Sequence, residues 1–203
     1  MRAHLYIEGG ESKEDQIRCR EGFRKLIEKA GLSGRMPRLS ACGGRRSAFD
    51  DFRTAHSNRK VGDCIAMLVD SEIPVANIEQ PWLHLEGHEQ WGKPVGAVDE
   101  QVLFMTTCME TWIVADRLAL RAHYGHELQE NALPPLHNLE NRNRDDVHDK
   151  LVHASRDCSN AYSKGKRSFV VLGTLDPNIL MQHLPSFLRV VRILKAKLPR
   201  HEH

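Results

Sequence analysis

The sequence predicts an α/β fold: a mainly parallel sheet flanked by helices, with a helical C-terminal extension. Three observations carry this. Cys64-Ile65-Ala66-Met67-Leu68-Val69 is an apolar run without polar alternation, as in a strand buried on both faces of a parallel sheet. Shorter apolar runs at His4–Ile7 and Leu39–Cys42 alternate with amphipathic stretches of helical spacing, the order of a strand–helix–strand sheet. Beyond Gly125 the chain turns polar and then rich in Leu, Val and Ile broken by prolines, which suits helices. The expected division is a core over residues 1–125 and a mainly helical extension, 126–203, packed on it.

Each element has its own warrant. His4-Leu5-Tyr6-Ile7 reads as a first strand running into the turn Glu8-Gly9-Gly10. From Glu14 to Ala30, residues Ile17, Phe23, Leu26, Ile27 and Ala30 mark one helical face, and Gly31 is a fitting stop. Arg38 to Cys42 is a second strand, followed by Gly43-Gly44-Arg45-Arg46. A helix from Ser47 to His56 carries Phe49 and Phe52 on one face. The strand ending at Asp70 follows. Residues Ile73 to Ala97, with Pro74, Pro81 and Pro94, read as a long loop, a type of connection that is usually functional. Gln101 to Thr106 is a fourth strand, and a helix runs from Met109 to about His123. Asn131 to Arg144 reads as a loop and Asp145 to Ala154 as a helix. Ser168 to Leu198 reads as short helices interrupted at Pro177 and Pro185. Pro199 to His203 is expected to fray.

Lys and Arg number 29 against 27 Asp and Glu, so a net charge of +2 gives no broad basic footprint for a polyanion. The five cysteines are scattered and form no Cys-x-x-Cys, and no leader-like stretch opens the sequence. A reduced, cytoplasmic setting is expected. The apolar stretches are too short to span a membrane.

The candidate chemistry lies at strand ends. In open α/β sheets, ligands bind outside the carboxyl ends of the strands. Glu8, Asp70 and Glu72 all stand there. An Asp after a strand is also a common turn former or helix cap. Acids converging from separate strands need a compensating cation, and Mg2+ or Mn2+ suits oxygen ligands. Such a cation polarises a phosphoryl oxygen and activates water. Glu110, in the first turn of the helix after the fourth strand, is a further candidate ligand, although an acid there also suits the helix dipole. Asp116, six positions on, faces elsewhere and reads as a structural hydrogen-bonding residue.

Arg45, Arg46 and Lys164 are candidates for phosphate binding. Gly43-Gly44-Arg45 lies between a strand and a helix, where backbone N–H groups favour anions, but the Gly-Lys-Ser/Thr ending of a P-loop is missing. His84 with His88, and His123 with His126, have zinc-like spacing without supporting cysteines, so surface histidines are expected. No Gly-x-Ser-x-Gly is present, which argues against a serine hydrolase. Trp82, Trp91 and Trp112 read as core or loop anchors.

The glutamate–glycine turn after the first strand and the acidic pair after a later strand resemble the TOPRIM domain of topoisomerases, primases and OLD-type nucleases. By that resemblance Glu8 takes the place of the glutamate, Asp70 the first acid of the pair and Glu72 the second, with Glu in place of the more usual Asp. Over nearly the whole length the chain resembles the DUF4276 family, a TOPRIM-like group. The residues that carry this are Tyr6-Ile7-Glu8-Gly9-Gly10, Ala41-Cys42-Gly43-Gly44-Arg45-Arg46 and Leu68-Val69-Asp70-Ser71-Glu72. Further on are Trp91-Gly92-Lys93-Pro94, Met109-Glu110-Thr111-Trp112 with Ala115-Asp116, Tyr162 to Phe169, and Leu175-Asp176-Pro177. The resemblance implies a Rossmann-like fold and an association with bacterial defence operons, often beside an ATPase. The expected function is a Mg2+-dependent phosphodiesterase, most simply a nuclease acting in phage defence. In it Glu8, Asp70 and Glu72 act in catalysis and hold the metal. Glu110 assists, and Glu8 is a possible proton carrier. Two alternatives stand beside it: a non-catalytic subunit that binds nucleic acid or an ATPase, and a hydrolase of small phosphate esters.

Overall fold

The computed structural model describes residues 2–199, without the side chain of Lys166. Four parallel strands form one sheet: β1 (Ala3–Ile7), β2 (Arg38–Ala41), β3 (Cys64–Asp70) and β4 (Val102–Met105), in the order β2-β1-β3-β4. From β1 the chain moves to one side to make β2, then crosses back over β1 to make β3 and continues outward to β4. The direction of winding thus reverses at the β1–β3 seam, the place where such sheets open a crevice at their carboxyl ends.

The β3 run is apolar because the sheet is covered on both faces. Ala66 and Leu68 point into one buried cluster, and Ile65, Met67 and Val69 into the other. Each fully buried side chain of this size contributes roughly 1.5–3 kcal/mol relative to exposure. One face carries α2 (Arg45–Ser57) and α3 (Pro81–Glu89), through Phe49, Phe52, Trp82 and Leu85. The other carries α1 (Lys13–Ile27), α4 (Met109–Ala115), α5 (Arg117–Tyr124) and α6 (Arg144–Ser155). It also carries α7 (Lys166–Leu172), α8 (Pro177–His183) and α9 (Pro185–Lys197). Phe169 and Phe187 of α7 and α9 join the same buried cluster as Leu5 and Leu68 of the sheet.

The helices begin where the sequence offers caps. Ser12 accepts from Asp15 N–H (3.1 Å), Asn143 from Asp145 N–H (2.7 Å), and Asp176 from Asn178 N–H (2.8 Å), with Pro177 opening α8. Arg189 of α9 is buried. It donates to Val102 O and Asp99 O, each at 2.8 Å, and to Glu79 (3.2 Å), which ties the last helix to the edge of β4.

Several sequence expectations need correction. Residues 73–97 are not all loop, because α3 occupies Pro81–Glu89; Pro81 starts it, and Gly87 and its few apolar residues hide it. The helix from Met109 does not run unbroken to His123. It stops at Asp116, whose carboxylate caps α5 through Ala119 N–H (3.0 Å) and accepts from Asp176 N–H (2.8 Å), a structural role. Ile17 is 49% exposed, and Cys19 and Gly22 take the buried face of α1 instead. The second helix starts at Arg45 rather than Ser47. Of the tail expected to fray, residues 200–203 lie outside the described residues. No helix among the described residues is long and apolar enough to cross a membrane.

Candidate metal centre

Glu8 follows β1, Asp70 ends β3, and Glu72 lies two residues beyond. The parallel register sets Ile7 beside Leu68, so Glu8 leaves β1 level with Val69 and Asp70 stands one residue further along the seam. Glu8 N–H donates to Leu68 O and Asp70 N–H donates to Glu8 Oε2, both at 2.9 Å. Glu72 reaches the same rim from a left-handed backbone conformation, φ +67°, held by its N–H donating to Thr107 O (2.9 Å). That region costs a non-glycine residue about 1 kcal/mol or more. One oxygen from each of Glu8, Asp70 and Glu72 lies within 4.8 Å of the others.

Asp70 is 6% exposed, and its Oδ1 is buried without a hydrogen-bond partner. Burial pushes its carboxyl well above the usual range. Glu8 and Glu110 push the same way, while Arg144 and Lys164 pull back. Burial also raises the Glu8 carboxyl, opposed by the Asp70 N–H and by Arg45, Arg144 and Lys164. A buried oxygen with no partner among hard oxygen donors is the environment that a Mg2+ or Mn2+ ion fits. At most 4.8 Å separates the three oxygens, a span that two metal–oxygen bonds of roughly 2.1 Å nearly bridge, so small side-chain rotations suffice.

Glu110, buried in the first turn of α4, lines the same cavity but lies outside that three-oxygen group. Its Oε1 accepts the Tyr162 O–H at 2.5 Å, and burial with Glu110 alongside raises the phenol, which keeps it a neutral donor.

The basic candidates divide. Arg45, in the first turn of α2, sits with Nε 3.7 Å from Glu8 Oε2 and 4.0 Å from Glu72 Oε1. Its Nη1 pairs with Glu89 at 2.7 Å and its guanidinium stacks 5.0 Å from the Trp91 ring centroid. Lys164 lines the cavity and is exposed. Arg46 points away, since adjacent helical residues diverge by about 100°. It pairs with Asp50 at 3.2 Å on the exposed side of α2.

Sequence reasoning missed Arg144, which pairs with Glu72 from the start of α6. It also assigned no roles to Tyr162 or Glu89. An arginine in an asparagine-rich loop gives no local sign of such a partner. The histidines expected at the surface include a buried one: His84 is 8% exposed, with Nε2 3.0 Å from Ser71 O and its ring 4.8 Å from that of His88. Among the described residues, the only group of three potential ligands is Glu8, Asp70 and Glu72. All five cysteines are free, and burial pushes the Cys19 and Cys42 thiols up to about 12, so neither is a ready nucleophile. Trp82, Trp91 and Trp112 are buried anchors.

Glu8, Asp70 and Glu110 line a cavity of about 260 Å3 between the turns after β1 and β2 and the start of α7; Glu72 lies outside its lining. No curated protein and no solved structure matches the chain. A family model described as "Domain of unknown function (DUF4276)" matches residues 14–195, a span that includes Asp70, Glu72, Glu110 and Lys164 and begins just after Glu8. The chain belongs to the DUF4276 family.

Proposed function

We propose that this protein is a divalent-metal-dependent phosphodiesterase, and that its substrate is a nucleic acid or a nucleotide. The observation that carries the reading is the convergence of one carboxylate oxygen each from Glu8, Asp70 and Glu72 within 4.8 Å, beside the buried, unpartnered Oδ1 of Asp70. These three residues would hold Mg2+ or Mn2+, with Glu110 lining the same cavity. The bound ion would supply Lewis-acid polarisation of the phosphoryl oxygen and a water of lowered pKa.

The chain's own residues do the rest. Glu8, whose carboxyl burial pushes upward, is the group suited to exchange a proton there. Arg45 and Lys164 neutralise phosphate charge at the rim. The strained backbone of Glu72 supports the reading, since such conformations persist where function requires them. The TOPRIM likeness and a place in phage defence belong to this proposal as well.

The test is cleavage of DNA, RNA and tRNA by purified protein in Mg2+ or Mn2+, beside Asp70→Asn. Activity dependent on metal and on Asp70 supports the reading; equal cleavage by both proteins removes it.

A second reading is favoured by one observation: Arg144 and Arg45 already engage Glu72 and Glu8. On that reading the rim is charge-compensated without metal and serves as a binding surface for nucleic acid or an ATPase. Calorimetric titration with Mn2+ separates the two, since only the enzyme reading expects a site lost in Asp70→Asn.

A further inference from the structure

The cavity beside the acids has fixed walls and two chemically different ends. The turns after β1 and β2 are locked together, for Gly9 N–H donates to Gly43 O (2.7 Å) and Gly43 N–H to Gly9 O (3.1 Å). Gly10 (φ +81°) already lies against α1, where a Cβ would stand 2.6 Å from Gln16 N. The opposite wall is the start of α7. It rests on Gly22 of α1 so closely that a Cβ there would stand 2.5 Å from Phe169 O. Neither wall can withdraw without unpacking α1 from the core, so the width of the cavity is built in.

At one end stand Glu8 and Asp70, the latter with its buried unpartnered oxygen. Met105, Met109 and Phe169 supply an apolar side, Glu11, Asp15 and Glu110 add further carboxylates that a bound cation would offset, and the exposed Lys164 is the cationic side chain of the lining. The volume, about 260 Å3, falls just below the roughly 300–1,000 Å3 of small-molecule pockets. It offers room on the scale of one nucleotide unit.

A duplex does not fit such a site. Its bases are stacked inside a cylinder whose major groove alone is about 12 Å wide. None of its bases can enter the cavity without leaving that stack. A single strand can instead turn one base onto apolar side chains while its phosphate meets the charged end.

We infer that the cavity takes one nucleotide unit at a time, so that the substrate is a single-stranded nucleotidyl phosphodiester, met as a free strand end or as a dinucleotide. This rests on the phosphodiesterase reading above. In the reaction, water adds to phosphorus and the bond from phosphorus to the leaving nucleoside oxygen breaks. That oxygen takes up the proton that the water gives up.

The experiment uses the full chain in Mn2+ with four substrates, each as DNA and as RNA. These are a linear single strand, the same strand circularised, a duplex closed by hairpins at both ends, and a dinucleoside monophosphate. The inference expects Asp70-dependent cleavage of the linear strand, the dinucleotide or both, at least tenfold faster than of the circle or the closed duplex. Cleavage of the linear strand alone assigns strand ends, and cleavage of the dinucleotide alone assigns free dinucleotides. A Met109→Ala variant should raise KM for the accepted substrate several-fold, through loss of the apolar side. Nicking of the circle or closed duplex at comparable rates overturns this inference and leaves the phosphodiesterase reading standing. Absence of Asp70-dependent cleavage on all four overturns both.

Discussion

The Glu8 carboxylate accepts the backbone N–H of Asp70 at 2.9 Å, closing a contact across 62 residues of chain. One side chain therefore does two jobs, pinning the end of β3 and offering its remaining lone pairs to the rim. The two jobs separate by mutation. Glu8→Gln keeps an amide oxygen to accept the N–H, so the unfolding free energy from denaturant titration should change by less than about 1 kcal/mol while Mn2+ binding by calorimetry falls at least tenfold. Glu8→Ala should lose the metal site and also about 1–3 kcal/mol of stability, because the Asp70 N–H is left unpaired.

Asp70→Asn is expected to stabilise the metal-free protein at neutral pH while abolishing Mn2+ binding. The Asp70 carboxyl sits well above its usual value of 3.8. The folded state therefore holds a proton that the unfolded chain releases. Stability is full below about pH 4 and declines as pH rises toward the folded-state value. Thermal melts of the wild type from pH 4 to 8 should show this decline, Mn2+ should reverse it, and Asp70→Asn should reduce it and respond to no metal.

Glu140 gives a second pH dependence. Its carboxylate accepts Ser186 N–H at 3.0 and 3.2 Å, and the Ser186 hydroxyl, at the start of α9; burial nevertheless raises it from 4.5 to about 7. Raised acids favour the fold when protonated. The contribution is complete below about pH 4.5 and is lost as pH passes 7, roughly 3 kcal/mol in all. Glu140→Gln should flatten the stability profile between pH 5 and 8 and raise the melting temperature at pH 8. Metal affinity should be unchanged.

Gly22→Ala should destabilise the fold even though alanine is the better helix former by about 1 kcal/mol. The added methyl would press on Phe169 O, and overpacking of this kind costs about 1–3 kcal/mol. The chemical denaturation midpoint measures the loss. An unchanged or raised midpoint would show that α7 can move away from α1.

The sheet was legible because its strongest signal is local. β3 is apolar on both faces, and Glu8 and Asp70 each follow an apolar run, so placing them at strand ends needed no tertiary knowledge. The break at Asp116 was hidden because Trp112, Ile113 and Leu120 keep a helical rhythm across it. What stops the helix is a carboxylate that caps α5 and holds Asp176 N–H, a contact across 60 residues. α3 was hidden for the opposite reason, since proline and glycine obscured a short helix whose Trp82 and Leu85 are anchored by packing. The Arg144–Glu72 pair, the Tyr162–Glu110 hydrogen bond and the left-handed Glu72 are tertiary or conformational facts with no periodic trace.

The reversal of winding at the β1–β3 seam has a consequence for any attempt to divide or recombine this chain. One acid of the rim travels with the first strand and two with the third, while the intervening helices and strand bring the backbone around and add Arg45. A fragment that ends before Asp70 inherits a lone glutamate, and one that begins after Glu8 inherits a pair without its anchor. Chimeras between relatives should therefore exchange everything from β1 through Glu72 as one block, because the heritable unit is the junction and not either segment that meets there.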